Sequence, residues 1–372
     1  MARNRVIYQS EALYVSDNAN VTGADKHEQL QRVQSANYSF NISRQDINQF
    51  GQLGRIDSMV LEAPTVSFDA TYYLGDGFNE EALGFLNNSA LTKGFASGHM
   101  IASSGKNFFI VTSTEGQDVI DNKTNTSQSV IGIGNAYLTD YTLDASIGAI
   151  PTVSVSFEAA NINSQADASG SSAGYSGISN PAVTQASGTK LTDDIALSAA
   201  TTGIGAVTAL RPGDINLSFG TAESDVEDGP IVDISGDADG VHVQSASLSL
   251  AMSRSPLERL GSRFPFARTV DFPVNATLSV SAIVNEITAA NLADMIDSDV
   301  ALTIDLEFQN RANNDVISAY KMKGARLVSE SISSSIGSNK TVDLTFDVQI
   351  GGPDDGNNNI MFSGDNSETP FG

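Results

Sequence analysis

The chain alternates apolar and polar residues with a period of two over long stretches, which is typical of strands with one buried and one wet face. The first such strand has Ala36, Tyr38, Phe40 and Ile42 on its apolar face. Ser and Asn occupy the positions between them, and the segments 65–72 and 275–282 alternate in the same way. These runs predict a mainly β fold, a sandwich or barrel.

Two short helices interrupt the predicted strands. They are expected at Asn79–Leu86, where Glu80 and Glu81 suit the positive end of the helix dipole, and at Ala289–Ile296.

The chain also contains an internal repeat. Residues 34–51 and 244–261 match at seven of eighteen positions, including Arg44 with Arg254 and Gly51 with Gly261. Further matches join 60–72 to 270–282, 147–157 to 336–346, and 213–220 to 357–364. We therefore predict two tandem copies of one domain. The predicted division is an N-terminal arm (1–29), copy one (30–220), an acidic linker (221–240) and copy two (241–372).

Three segments depart from the strand pattern. Each copy has a long excursion after its first strand, at 44–58 and 254–268, which is too long for a tight hairpin turn. Copy one has an insertion at about 159–205 that copy two lacks. In residues 159–190, 18 of 32 residues are Ser, Ala or Gly, so we expect an exposed, mobile loop.

Composition narrows the possible functions. The 372 residues suffice for two domains, and 40% are hydrophobic, so a sizeable core is expected. A net charge of -24 argues against a surface that grips phosphates. There is no cysteine, which excludes disulfides, thiolate metal sites and a cysteine nucleophile. The segment MARNRVIYQS lacks the apolar stretch of a signal peptide, so export is not expected.

The search for catalytic motifs gives little. His27, His99 and His242 do not form a zinc-binding spacing, and no phosphate-binding loop of the Walker type occurs. Residues 170–174 fit GxSxG around Ser172, but the flanking sequence is not a strand followed by a helix. The acidic linker leaves weak divalent-cation binding open, without an EF-hand. We expect no enzyme activity and no cofactor.

The sequence resembles the tail tube proteins of tailed bacteriophages. The resemblance lies in the duplicated β domain, the small polar strand faces, the long loop after the first strand and the acidity. Residues 34–73 carry the resemblance most clearly, and residues 244–284 reinforce it. The resemblance implies rings of six domains, each giving about four strands to one barrel. For two domains per chain, it implies a trimeric, pseudo-hexameric ring. Its 24 strands, at ~4.8 Å each, would span about 115 Å, or ~37 Å across the backbone before tilt.

The resemblance also has implications for the partners and the location of the protein. The protein would be a virion component, made in the host bacterial cytoplasm, whose partners are further copies stacked head to tail and other tail proteins at the tube ends. DNA would pass through without specific binding, and neither a membrane nor a small-molecule ligand is expected.

Two sets of residues are candidates for these roles. The candidates for lining the lumen are Ser35, Asn37, Ser39, Asn41, Thr65, Ser67, Asp69, Thr71, Ser245, Ser247, Ser249, Asn275, Thr277, Ser279 and Ser281. The candidates for contacts between rings are Arg44, Arg55, Arg254, Arg259, Arg263 and Arg268. The alternatives are a capsid decoration or fibre-type binding module, with the insertion as its ligand loop, and a hydrolase using Ser172. An ordinary solvated sheet face would also have small polar residues.

Overall fold

A computed structural model describes residues 11–16, 27–87, 93–101, 105–113, 117–120, 128–171, 174–200, 210, 215–221, 242–283, 301–309, 316–335 and 339–364. The described strands of the first half are β1 (Glu11–Ser16), β2 (His27–Gln29), β3 (Val33–Asn41), β4 (Arg44–Ile47), β5 (Asp57–Val60), β6 (Thr65–Tyr73), β7 (Lys106–Thr112), β8 (Gln128–Ser146), β9 (Thr152–Ala159), β10 (Asn161–Ser171), β11 (Gly174–Ser179) and β12 (Asp194–Ser198). Two short helices, α1 (Phe78–Leu83) and α2 (Ser97–Ile101), lie between β6 and β7. The later strands are β13 (Ile215–Thr221), β14 (His242–Ala251), β15 (Arg254–Leu257), β16 (Ala267–Val270), β17 (Val274–Ile283), β18 (Leu302–Gln309), β19 (Val316–Ser333), β20 (Thr341–Ile350) and β21 (Asn359–Gly364). The predicted mainly β fold is confirmed.

Eight strands form one continuous antiparallel central sheet. Their order is β3, β6, β9, β8, β14, β17, β20 and β19. The pairing of β8 with β14 joins the two halves of the chain, so that each half contributes four neighbouring strands.

Among the described strands, two outer sheets join the central sheet. In the first half, β1 and the beginning of β8 flank β7, and β10 pairs with β8. In the second half, β13 and the beginning of β19 flank β18, and β21 pairs with β19. The 19-residue β8 and the 18-residue β19 each continue from an outer sheet into the central sheet. Apart from β2, β11 and β12, which have no counterpart among the described strands of the second half, the order of strands and the order of pairings are therefore the same in both halves.

The core lies between the outer sheets and the apolar face of the central sheet. Val66, Phe68 and Ala70 of β6 are buried while the residues between them are exposed, because successive side chains of a strand point to opposite faces. Phe68 contacts Phe108 of β7 at 4.5 Å between ring centroids, and Phe108 contacts Phe157 of β9 at 4.8 Å. Aromatic packing thus holds the outer sheet against the central one.

Several expectations about segments need correction. The insertion, predicted to be a mobile loop, instead contains β10, β11 and β12, and its Tyr175, Ile178 and Ile195 are buried. Tyr175 packs edge-on against Tyr14, at 6.4 Å. The alternating apolar residues of the insertion thus cover β1 and β7, which the high Ser and Gly content obscured.

The boundaries of the halves also differ from the alignment. The predicted N-terminal arm includes β1, which pairs with β7. Residues 213–220 and 357–364 were aligned, but β13 pairs with β18 whereas β21 pairs with β19, so the two segments occupy different positions. Helix α1 begins one residue before its prediction, between Gly77 and Gly84, which adopt φ of 86° and 98°. The predicted linker 221–240, apart from Thr221, and the predicted helix Ala289–Ile296 lie outside the described residues.

Candidate functional site: the polar face and the open edges of the central sheet

The fifteen side chains predicted to line a lumen lie on one face of the central sheet, and none of them is buried. They occupy β3, β6, β14 and β17. Strand pairing places Thr71 of β6 and Ser249 of β14 in one row across the sheet, with Ser154 and Thr142 between them. The structure thus brings the residues from the two halves together.

Neighbouring polar side chains on this face hydrogen-bond to each other. The hydroxyls of Ser35 and Thr71 are 2.6 Å apart. The Ser247 hydroxyl donates to Oδ1 of Asp144 at 2.5 Å, across the junction between the halves. These short side chains therefore form a low, polar surface on the sheet.

The residues predicted from the sequence to line a lumen do not include those of the other four strands of this face. Their exposed or half-buried polar residues are Thr152, Ser154, Ser156 and Glu158 on β9; Asp140, Thr142, Asp144 and Ser146 on β8; Thr341, Asp343, Thr345, Asp347 and Gln349 on β20; and Ser329, Ser331 and Ser333 on β19. The alternation of Val153, Val155 and Phe157 with small polar residues is the signal that identifies β9.

The face is acidic. Its strands carry Asp69, Asp140, Asp144, Glu158, Asp343 and Asp347. Arg326 of β19, opposite Asp347, is the one Lys or Arg among the described strand residues of this face. Three of these six residues are exposed and three are half-buried, so the face presents negative potential.

The two edges of the central sheet, β3 and β19, expose apolar side chains. On β3 and just after it, Tyr38, Phe40 and Ile42 are 42%, 60% and 38% exposed. On β19, Val328 and Ile332 are 64% and 39% exposed. Among the described residues, β3 pairs only with β6, and the last third of β19 pairs only with β20.

The internal junction between β8 and β14 looks different. Leu248 and Leu250 of β14 are each 1% exposed, and Met252, just beyond the strand, is 0% exposed. These residues pack in the core with Tyr141 and Leu143 of β8. Strand β14, whose sequence resembles that of β3, therefore has its apolar side chains covered where it pairs with β8.

Each excursion is a two-stranded hairpin. We call β4–β5 with its turn hairpin 1, and β15–β16 with its turn hairpin 2. Gly51 and Gly261 have φ of 87° and 85° at matching places in the two turns, which favours glycine. The tip residues Phe50, Leu53 and Leu260 are fully exposed, at 107%, 109% and 104%.

Hairpin 2 rests on the body of the chain. The backbone carbonyl of Ala186, in the insertion, accepts hydrogen bonds from the backbone N–H groups of Arg263 and Phe264, at 3.1 and 3.4 Å. Arg268 forms an ion pair with Glu158 of β9 at 2.5 Å, and its guanidinium lies over the Tyr137 ring.

The six candidate arginines fall into two groups. Arg254 donates to the backbone carbonyl of His99 at 2.5 Å and Arg268 pairs with Glu158, so both have partners within the chain. Arg44, Arg55, Arg259 and Arg263 are exposed. Arg55 forms an exposed ion pair with Asp46 of its own hairpin, at 2.9 Å.

A buried carboxyl group joins the two halves in the core. Glu80 of α1 accepts hydrogen bonds from the hydroxyl groups of Tyr72 at 2.9 Å and Tyr141 at 3.5 Å, and the Tyr141 hydroxyl lies 2.7 Å from that of Tyr320 on β19. Burial raises the pKa of Glu80 to about 6, although the Tyr72 hydrogen bond opposes the rise.

Other groups with possible chemistry are not arranged as a reaction centre. Burial, with the nearby Lys106 and Arg254 charges, lowers the pKa of His99 to about 3, so this imidazole is neutral at pH 7. In the part of the chain that the structure describes, no three His, Asp or Glu side chains group closely enough to hold a metal ion. Ser172 and residues 235–241 lie outside the described residues. None of the described helices is long and apolar enough to cross a membrane.

Comparisons with known proteins give likenesses in structure only. No protein-family model and no curated protein sequence matches the chain. A solved structure of the baseplate of the anti-feeding prophage is 12% identical, with a TM-score of 0.27, and the match covers 44% of this chain and 97% of that one. A crystal structure of an Hcp protein is 9% identical, with a TM-score of 0.22, covering 40% of this chain and 98% of that one.

Proposed function

We propose that the chain is a structural subunit of a hollow tube, of the kind that forms the tails of tailed bacteriophages, and that three chains form each ring. One observation carries the proposal: a continuous eight-stranded sheet exposes a wide face of small polar and acidic side chains while both of its edges expose apolar ones. Such a sheet suits a wall segment, with its polar face toward a bore.

Duplication of one domain is the first element of the proposal. Ala36 pairs with Ala70 as Ala246 pairs with Val280, each residue lying 210 positions later. Leu143 pairs with Val153 as Ile332 pairs with Val342, each 189 positions later. Independent segments would not be expected to share both pairing order and register, which supports two copies of one domain. The strand pairing suggests that β13 belongs to the second copy.

The size of the ring follows from the strand count. Each chain supplies eight strands, so three chains supply 24, enough for a barrel ~37 Å across the backbone at ~4.8 Å per strand. With about 5 Å of side chain on each wall, roughly 27 Å remain, which is wider than duplex DNA. Each ring would have three identical chains and six similar domains.

The chemistry of the polar face suits passage of DNA without binding. DNA has one negative charge per ~1.7 Å, and a wall of Lys or Arg would displace counterions and hold it. A wall of Ser, Thr and Asn with Asp69, Asp144 and Asp343 stays hydrated and repels the duplex. Short side chains also leave the bore wide.

Stacking of rings is assigned to the hairpins. Their tips expose Phe50, Leu53 and Leu260, and exposed apolar groups at the end of a protruding hairpin are suited to insertion into a neighbouring molecule. The exposed Arg44, Arg55, Arg259 and Arg263 would add contacts to acidic groups of the next ring. Other tail proteins would close the tube ends, and the assembled tube would be part of a virion.

Electron microscopy of the purified protein tests this proposal. We expect negatively stained rings or hollow tubes with six lobes in end-on view. Globular particles that never form rings at any concentration would refute it, and would favour a capsid decoration or fibre-type binding protein.

A further inference from the structure

The pairing of β8 with β14 inside the chain can serve as a model for a contact between two chains. There, Leu248 lies opposite Leu143 and Ser249 opposite Thr142. The backbone N–H of Met252 donates to the carbonyl of Thr139 at 2.8 Å, which ends the pairing. Ala246, Leu248 and Leu250, the alternating apolar residues of β14 that pair with β8, are buried.

Counterparts of both strands lie at the open edges. The shift of 210 positions relates β14 to β3, and the shift of 189 relates the last part of β8 to the last part of β19. The counterpart of Leu248 is therefore Tyr38, and that of Leu143 is Ile332. Both counterparts are exposed, at 42% and 39%.

We propose that β3 of one copy pairs antiparallel with residues 328–333 of β19 in a second copy, in the register of the internal junction. Tyr38 then lies opposite Ile332, Ser39 opposite Ser331, Phe40 opposite Glu330, and Ile42 opposite Val328. The pairing covers the exposed apolar side chains of both edges and extends the polar face from one chain to the next. This inference rests on the proposed ring, and it specifies which residues join one chain of the ring to the next.

A bulge supports this register. The pairing of β8 with β9 shifts between Leu138 and Asp140, and that of β19 with β20 shifts between Leu327 and Ser329. The two bulges are 189 positions apart, and Val328 is the counterpart of Thr139, where the internal pairing ends. Bulges stop a ladder at a defined residue, so Val328 marks the end of the pairing with Ile42.

Alternation excludes registers that differ by one residue. A slip by one position would place Tyr38 and Phe40 of β3 opposite the serines of β19, and would turn one apolar set toward water. A slip by two keeps the faces but moves Phe40 to the bulge at Val328. Only an experiment with single-residue resolution separates these cases.

Disulfide trapping provides that resolution, because the chain has no cysteine. At the internal junction between β8 and β14, the residue pairs on the polar face are the non-hydrogen-bonded pairs of the ladder. The Cα atoms of such pairs are about 4.5 Å apart, which is close enough for a disulfide. We would mix a Ser39→Cys chain with a Ser331→Cys chain in equal amounts, assemble and oxidise them, and measure covalent dimer on a non-reducing gel. Mixtures with Ser329→Cys or Ser333→Cys chains test the slipped registers. A Ser249→Cys, Thr142→Cys double variant is the matched control within one chain.

The expected result is at least about tenfold more dimer for Ser39→Cys with Ser331→Cys than for either slipped mixture, since diagonal neighbours are about 7–8 Å apart. Equal or greater trapping in a slipped mixture would overturn the register. Rings in the microscope without any dimer from these mixtures, while the internal control closes its disulfide, would overturn the β3–β19 contact but leave the proposed tube intact. Absence of rings from the unmodified protein would overturn both.

Discussion

Replacing Phe40 with Ala should weaken ring formation without destabilising the chain. Phe40 is 60% exposed, whereas Leu250, its counterpart at the internal junction, is 1% exposed. Burying a whole Phe side chain contributes about 1.5–3 kcal/mol, so covering the exposed six tenths contributes about 1–2 kcal/mol at each junction. A ring of three has three junctions, and the association free energy should fall by about 3–5 kcal/mol per ring, roughly 10²- to 10⁴-fold in the trimerisation constant.

Analytical ultracentrifugation over a dilution series would measure the effect. Because trimerisation depends on the square of concentration, the midpoint should rise roughly 10- to 100-fold for Phe40→Ala. Thermal unfolding of the dissociated chain should stay the same. Phe68, opposite Tyr38 on β6 and 0% exposed, supplies the contrast: Phe68→Ala should cost about 3–5 kcal/mol of folding stability. An unchanged midpoint for Phe40→Ala would refute the reasoning, because the edge would then not be covered in the ring.

Three further predictions concern the core, the bore and the tips. Between pH 4 and pH 7 the unfolding free energy of the natural protein should fall by about 2 kcal/mol more than that of Glu80→Gln. The pKa of Glu80 rises from 4.5 to about 6 on folding. The protonated carboxyl therefore stabilises the folded state fully below pH 4.5, and this contribution is lost as the pH rises through 6. If denaturant titrations gave the same pH dependence of the unfolding free energy for both proteins, the prediction would be contradicted. Ser249→Arg with Thr277→Arg should make tubes bind duplex DNA in a salt-dependent way, measured by fluorescence anisotropy, while the same two positions changed to Gln should not. Phe50→Ser with Leu53→Ser should leave rings intact and change folding stability by less than about 0.5 kcal/mol, since both side chains are fully exposed, but should prevent stacking; long tubes in the microscope would disprove a role for the tips.

The sequence predicts the strands of the central sheet well where one face is buried. At β6, alternation alone assigns Phe68 to the core and Asp69 to the polar face, because the two faces of a strand meet different surroundings. The same rule extends to β9 and β20, whose polar residues complete the face. Local pattern does not show which strands are neighbours, so the junction between β8 and β14 required the structure.

Composition gave a wrong prediction for the insertion, in which buried residues are few. The insertion is rich in Ser, Ala and Gly, yet Tyr175, Ile178, Ile195 and Leu197 are enough to pack its strands on β1 and β7. The arginines of the hairpins show a second limit of sequence patterns. Arg254 and Arg268 bind groups that are 155 and 110 positions away along the chain, which no sequence pattern could reveal.

The central claim is that one chain supplies eight strands, and thus one third, of a closed wall. Determining the number of chains per ring tests it most directly, by averaging end-on electron microscopy projections of assembled tubes and measuring the mass of a single ring. The account predicts threefold symmetry with six lobes, a ring mass of three chains of 39.0 kDa each, and an open bore. A ring of six chains, or an assembly without a bore, would contradict it.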